Sequence, residues 1–347
     1  MRRPGVQDAY RMAWRHAHRL PAPVGYALAH GVGDIIWCLH RLRGALGGAG
    51  TGSGVGQLER NLSRVLPGAS PAQVRAASRS GMRSYMRYFY EVFALPGIGP
   101  QQLQARVRAD ADPALHEDLR RGGVVLALGH TGNWDLAAAW ACRELAPVLT
   151  VAERLEPADL FEQFTAFRQG LGMRIIGQAR GERVFDRLVS AAREEHCAIA
   201  LLADRDLSSA GIEARLCGHS AYVAAGPAAI AAHLDLPLYV ASIHYERLTG
   251  QRRRRAGSPW GLVLTIRAVP GVQDGPDRVA EHTRTWVREL GPLLAAHPQD
   301  WHMLQPVFTE DLDPQRLARG WARDSRQESH ASAESAMVKN EPGQEGA

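Results

Sequence analysis

His130 and Asp135 stand in the stretch VVLALGHTGNWDLAA, residues 124–138, with four residues between them. An imidazole titrates near neutrality and can accept a proton from a hydroxyl, provided a partner fixes its tautomer and stabilises its charged form. A carboxylate can be that partner, and such a base suits transfer of an acyl group to a hydroxyl. The pair follows an apolar run at 124–128 and precedes a helical pattern from Leu136. A tight strand-to-helix turn would therefore let Asp135 fold back onto His130, and Gly129 and Gly132 permit that path. N–H groups at the start of the following helix could polarise a carbonyl or hold a phosphate. The spacing alone is common in proteins; its place after an apolar strand, with flanking glycines, singles it out.

The elements that must carry this turn are legible as an alternation. Strand-like apolar runs fall at 124–128, 148–151, 175–176, 198–203, 238–245 and 262–268, and helical stretches at 136–144, 159–170, 180–195, 226–234 and 277–297 lie between them. Alternation of this kind predicts an α/β domain with a central, mostly parallel sheet flanked by helices. Ligand sites in such sheets lie outside the carboxyl ends of the strands, and the His130 turn is one such end. Upstream, residues 57–95 read as helical, with Ser70 as N-cap and Pro71 in the first turn. Val74, Ala77, Tyr85, Tyr88, Phe89 and Val92 form a stripe read as core.

Three segments lie outside this domain, dividing the chain into 1–56, 57–323 and 324–347. Residues 8–43 interleave Arg11, Arg15, Arg19, Arg41 and Arg43 with Tyr10, Trp14, Tyr26, Ile35, Ile36, Trp37 and Leu39. That mixture suits either amphipathic helices at a membrane interface or a helix pair packed on the body. Residues 44–56 are a glycine-rich linker, and the polar segment 324–347 is expected to be disordered. The run Arg252–Arg255 reads as a solvated hairpin loop, with phosphate binding as the alternative.

Composition narrows the classes. A formal charge of +5 and a pI near 9.3 fit either an anionic partner or an ordinary basic soluble protein. Cys38, Cys142, Cys197 and Cys217 are scattered without metal-like spacing, so reduced thiols and no bound metal are expected. The first twenty residues lack the apolar core of a secretory signal, and the most apolar stretch, 23–39, is interrupted by Asp34, His30, glycines and proline. No G-x-S-x-G elbow follows an apolar strand, which argues against a serine hydrolase. No nucleic-acid module is present.

HTGNWD resembles the H-x4-D/E motif of bacterial lysophospholipid-type acyltransferases. More closely, it is similar to the lipid A biosynthesis acyltransferase superfamily and, within it, the actinobacterial phosphatidylinositol mannoside acyltransferases. VAERLEP at 151–157, FRQGLG at 167–172, LLADRDLSSAGIE at 201–213, AAGPAAIA at 224–231 and DWHMLQP at 300–306 look like family blocks in family order. Together they cover residues 57–310. The resemblance implies a glycerolipid-acyltransferase-like α/β fold with N-terminal amphipathic helices. It implies transfer of a long-chain acyl group from acyl-CoA, a co-substrate with no further cofactor, to a mannose hydroxyl of a phosphoinositide glycolipid. A lipid A precursor is the alternative acceptor.

In that scheme His130 removes the hydroxyl proton, Asp135 orients it, and no acyl-enzyme forms. Asp204 matches a position where the mannoside acyltransferases carry glutamate, one methylene longer. Its neighbour Asp206 reads as structural. Arg154, Arg168 and Arg205 become candidates for substrate phosphates, against surface ion pairs with Glu153, Glu156 or Glu162. Gly226-Pro227 would be architectural, His302 either a second base or part of a buried block, and Glu91 a groove-lining residue. The implied location is the cytoplasmic face of the plasma membrane, peripherally bound to its anionic surface.

Overall fold

The computed structural model describes Met12 and residues 16–46, 54–153, 158–178, 184–315, 317–319 and 321–322. Tyr10, Arg11, Trp14 and Arg15, the centre of the glycine-rich linker, Arg154 and the polar segment 324–347 lie outside the described residues. The helices are α1 (Ala22–Ala45), α2 (Val55–Val65), α3 (Pro71–Ala94), α4 (Pro100–Arg106), α5 (Leu115–Arg121), α6 (Trp134–Glu144), α7 (Ala158–Gly170), α8 (Phe185–Glu194), α9 (Gly226–Leu234), α10 (Gly250–Ala256) and α11 (Arg278–Ala296). The strands are β1 (Val107–Ala111), β2 (Val124–Leu128), β3 (Val148–Glu153), β4 (Met173–Gln178), β5 (Ala198–Leu202), β6 (Ile212–Leu216), β7 (His219–Val223), β8 (Leu238–Arg247) and β9 (Trp260–Ala268).

Seven strands make one sheet in the order β1-β9-β8-β2-β5-β3-β4. β8, β2, β5, β3 and β4 run parallel; β9 is antiparallel to β8, and β1 follows β9. β2 is buried along its whole length, as a central strand covered on both faces must be. Val125 and Ala127 face a layer holding Ala228, Trp286, Val287, Leu290 and Leu294 of α9 and α11. Val124, Leu126 and Leu128 face Leu136, Ala139 and Trp140 of α6, with Leu115 and Leu119 of α5. The period-two alternation of a strand thus divides one apolar run between two cores.

Several elements differ from the sequence reading. β1, VRADA, is too polar to read as a strand, yet pairs with β9 at the sheet edge. β6 and β7 form a separate antiparallel hairpin after β5. Arg252–Arg255 lie in a helix, not in a hairpin loop. α10 spans Gly250–Ala256 and stops at Gly257, whose φ of 59° is the left-handed conformation glycine tolerates. Arg252 is spent internally, donating to the Ala105 carbonyl at 2.8 Å and to Glu246 at 2.5 Å.

The helical reading of 57–95 resolves into α2 and α3. Ser70 and Gln73 form a reciprocal capping box at the start of α3, with Pro71 in the first turn. α1 lies along α3, and Gly33 allows the approach: a Cβ there would sit 2.9 Å from the Met82 carbonyl oxygen. Trp37 donates to Ser78 at 2.9 Å, while Asp34 bridges Arg79 and Arg83. The opposite face of α1 is apolar and open. Val24, Leu28, Val32, Ile35, Leu39 and Leu42 recur three or four residues apart, and each is at least 45% exposed. Among the described residues no helix is long and apolar enough to cross a membrane.

After α11 the chain returns beneath the His130 turn. The His302 N–H donates to the His130 carbonyl at 2.8 Å, Gly132 N–H donates to the Asp300 carbonyl at 2.8 Å, and Thr131 and Trp301 form an antiparallel bridge. The buried Asp300 carboxylate accepts from Ser84 Oγ at 2.5 Å and from the Tyr245 N–H at 3.0 Å, tying α3 and β8 to this return. Replacing Asp300 by alanine strands the Tyr245 N–H and leaves Ser84 only His302 as a partner, so urea denaturation should show a loss of about 2 kcal/mol of folding stability.

Candidate active site

His130 and Asp204 are brought together by strand register. β2 and β5 are parallel neighbours with Leu128 opposite Leu202. Each chain leaves its strand at the same level, and two residues further on His130 stands beside Asp204. His130 Nδ1 donates to Asp204 Oδ1 at 2.5 Å, and the His130 backbone N–H donates to Oδ2 at 2.9 Å. Trp301 Nε1 donates to the same Oδ2 at 2.7 Å. The carboxylate is fully buried, whereas the His130 side chain remains 35% exposed. With Nδ1 bound to the acid, a neutral imidazole presents Nε2 as its proton acceptor.

Burial by itself would disfavour both charges. The mutual attraction outweighs it, so the His130 pKa rises above the ordinary imidazole value and the Asp204 pKa falls below the ordinary carboxylate value. The three hydrogen bonds to the Asp204 carboxylate hold its ionised form. An imidazolium formed at His130 is therefore stabilised where it is made.

The expected fold-back of Asp135 onto His130 does not occur. Asn133 caps α6 by accepting the Leu136 N–H at 3.0 Å, so Asp135 already lies in the first helical turn and its side chain is carried away from the strand end. There it is buried in a bidentate pair with Arg168 of α7, at 2.6 and 3.1 Å, and accepts from Tyr88 Oη at 3.2 Å. Asp204 occupies the place that the sequence reading gave to Asp135. Gly132 makes the turn: its φ is 55°, and a Cβ would come within 2.6 Å of the Ile243 carbonyl oxygen.

Arg168 is thus an ion-pair partner of Asp135, an acid other than the Glu153, Glu156 and Glu162 weighed for it from the sequence. Arg205 donates through Nε to the Pro306 carbonyl at 2.9 Å. Asp206 accepts the Ser208 N–H at 2.8 Å, a local turn bond. His302 is buried, with its Nε2 3.0 Å from Ser84 Oγ. Burial, then the nearby Arg87 and His130, push its pKa down to about 3, which fits the buried block and not a second base. Glu91 lines no groove; it is 1% exposed and accepts from Tyr26, Tyr245 and Asn133 at 2.7, 2.8 and 3.0 Å.

Two contributors were not picked out from the sequence. Trp301 holds Asp204 from a block remote in the chain, and no local pattern marks an indole for that task. Asn133 was legible in principle, since asparagine immediately before a helical run is an N-cap signal. Among the described residues no cluster of His, Cys, Asp or Glu could hold a metal ion.

Residues 37–310 match the family described as bacterial lipid A biosynthesis acyltransferase, and the chain belongs to that family. It is 32% identical over 233 residues to a phosphatidylinositol mannoside acyltransferase of Mycolicibacterium smegmatis, covering 67% of this chain and 72% of the relative. A Mycobacterium tuberculosis protein of the same name is 34% identical over 235 residues, covering 67% of this chain and 70% of its own length. The chain is accordingly an O-acyltransferase.

The ion pair has a measurable signature. Nuclear magnetic resonance titration should place the His130 pKa above about 6.5, and Asp204→Asn should lower it. The raised imidazole stabilises the fold below its unfolded pKa and loses that contribution as pH rises through the folded value. The depressed Asp204 contributes above its unfolded pKa and loses that as pH falls through the folded value. Both contributions are therefore fully present between about pH 4 and 6.5, and in that window the wild type should exceed Asp204→Asn in stability by most.

Proposed function

We propose that this acyltransferase moves a long-chain fatty acyl group from acyl-CoA to a mannose hydroxyl of a phosphatidylinositol mannoside, at the cytoplasmic face of the plasma membrane. The observation that carries the reading is the His130–Asp204 pair, a base whose outer nitrogen is open and whose charged form has a buried counter-ion. His130 Nε2 takes the proton of the acceptor hydroxyl as its oxygen bonds to the thioester carbonyl carbon. The tetrahedral intermediate then expels the coenzyme A thiolate, which takes the proton from the imidazolium. Because the acceptor oxygen attacks directly, no acyl-enzyme forms and His130 ends the cycle neutral.

Asp204 is the orienting carboxylate in this scheme, the role first expected of Asp135. Asp135 and Arg168 together brace the start of α6 against α7. Arg205, beside Asp204, and Arg154, just past β3, remain the candidates for substrate phosphates. The names of the two mycobacterial relatives support a mannosylated phosphoinositide as acceptor. The catalytic unit corresponds to residues 57–323, with 1–56 as its membrane-proximal part.

The exposed stripe of α1 supports membrane contact. Leucine, isoleucine and valine along one face of a helix that also carries Arg41 and Arg43 suit insertion at the headgroup boundary. Ile35→Glu combined with Leu39→Glu alters only exposed positions, so the fold should persist while co-sedimentation with anionic liposomes falls about tenfold or more. Unchanged co-sedimentation would reject this role for α1.

The activity is tested by incubating the purified protein with radiolabelled palmitoyl-CoA and a panel of mannosylated and unmannosylated phosphoinositides, with mass spectrometry of the products. The reading expects label on mannose and none on the unmannosylated lipid. His130→Ala should remain folded and lose transfer by at least about a thousandfold. Full turnover by that variant would remove His130 from the chemistry.

A further inference from the structure

The contact between α1 and α3 is a ladder of polar rungs. At one end Tyr26 donates to Glu91 Oε1 at 2.7 Å. At the other, Asp34 accepts from Arg79 and Arg83, whose guanidiniums hold its carboxyl well below the usual carboxylate range. The rung between brings His30 and Arg87 together around Trp260 and supplies no carboxylate. Arg87 is only 6% exposed, and its Nε is buried without a hydrogen-bond partner among the described residues. His30 Nε2 is buried and unpartnered in the same way.

The neighbouring acids are turned elsewhere. Both Glu91 oxygens are taken by Tyr26, Tyr245 and Asn133, and both Asp300 oxygens by Ser84, Gln299 and the Tyr245 N–H. Arg87 instead stacks, its guanidinium carbon 3.6 Å from the centre of the Trp260 ring and 4.3 Å from that of Tyr245. The Arg247 guanidinium lies 4.5 Å from the same indole, and the His30 ring centre 6.2 Å from it. Burial, then the charges of Arg87, Arg83 and Arg247, lower the His30 pKa against the opposing pull of Asp34. Two guanidiniums and an imidazole therefore converge on one indole with no carboxylate between them. A buried cation left uncompensated is costly, and stacking on aromatic rings offsets only part of that cost.

We propose that His30, Arg87 and Arg247, gathered around Trp260, form the seat of the acceptor lipid's phosphodiester. This rests on the reading of the acceptor as a phosphoinositide. A phosphodiester supplies the missing acceptor oxygens, and a guanidinium fork matches their geometry. Arg247 is exposed at the end of β8 and marks the open side of the cluster. The lipid's acyl chains would then lie on the membrane side, where α1 turns its apolar stripe. α3 couples this seat to the reacting centre. One turn after Arg87, Glu91 accepts from Asn133, the cap of the helix that follows the His130 turn, and Tyr88 donates to Asp135.

The full-length protein is titrated calorimetrically with glycerophosphoinositol, inorganic phosphate and inositol, and acceptor kinetics are measured in parallel. The proposal expects saturable binding of glycerophosphoinositol and none of inositol. Arg247→Gln, at an exposed position, should weaken that binding about tenfold, and Arg87→Gln by at least as much. Acceptor KM should rise by a similar factor in Arg247→Gln with kcat unchanged. Arg253→Gln, on exposed α10, should alter neither. Inorganic phosphate binding more tightly than the diester would overturn the lipid assignment in favour of a free-phosphate site. If the wild type acylates the mannoside while Arg247→Gln binds and turns over normally, the seat is wrong and the proposed function stands. If the wild type binds glycerophosphoinositol through these arginines but acylates no mannoside, the seat stands and the proposed function is wrong.

Discussion

The parallel pairing of β2 with β5 is the constraint on which the rest of the site depends. It sets the ends of two strands side by side at one level, so that residues 74 positions apart in sequence share a 2.5 Å hydrogen bond. Nothing flexible is asked to close that distance. The carboxylate is immobilised by three donors, two from His130 and one from Trp301, and the imidazole is held through both its ring and its backbone. Preorganisation of this kind is what a general base requires, because the charge it develops meets a fixed counter-ion and not reorganising water.

Around that pair the remaining polar groups act as bracing. The return after α11 is stitched to residues 130–132 through backbone bonds, and Asp300 and Glu91 each gather donors from separate elements. Asp135 and Arg168 form a second buried pair, whose loss on one side would strand a charge, a more costly event than losing the pair whole. The α1–α3 ladder extends the same logic outward, with acids answering arginines at one rung and hydroxyls answering an acid at another. The His30–Arg87 rung breaks that pattern.

Much of the scaffold was legible in the residues. β2 and α9 fall where the apolar run at 124–128 and the Gly-Pro start at 226 placed them, and Ser70-Pro71 marked the start of α3. His130 stands out because a histidine directly after an apolar strand has few structural reasons to be there. Its partner was harder to read. Sequence proximity favours Asp135, but the strand order that places β5 beside β2 is a tertiary choice, and Asn133 as the cap turns Asp135 aside. β1 escaped notice because an edge strand with polar side chains lacks the apolar signal of a buried one. The arginine run misled because like charges suggest a loop, although Gly257 supplies a helix stop and Glu246 and the Ala105 carbonyl absorb Arg252.

The central claim, that Asp204 sets both the orientation and the basicity of His130, is tested most directly by the pH dependence of kcat/KM in the wild type and in Asp204→Asn. The raised imidazole pKa predicts a wild-type rate that climbs with pH through a midpoint above about 6.5. Removing the carboxylate charge should move that midpoint to lower pH, because the neutral imidazole then persists into more acidic solution. The plateau should fall by about four orders of magnitude for want of a counter-ion to the imidazolium. An acid limb with the same midpoint in both enzymes, or an undiminished plateau in the variant, would contradict the account.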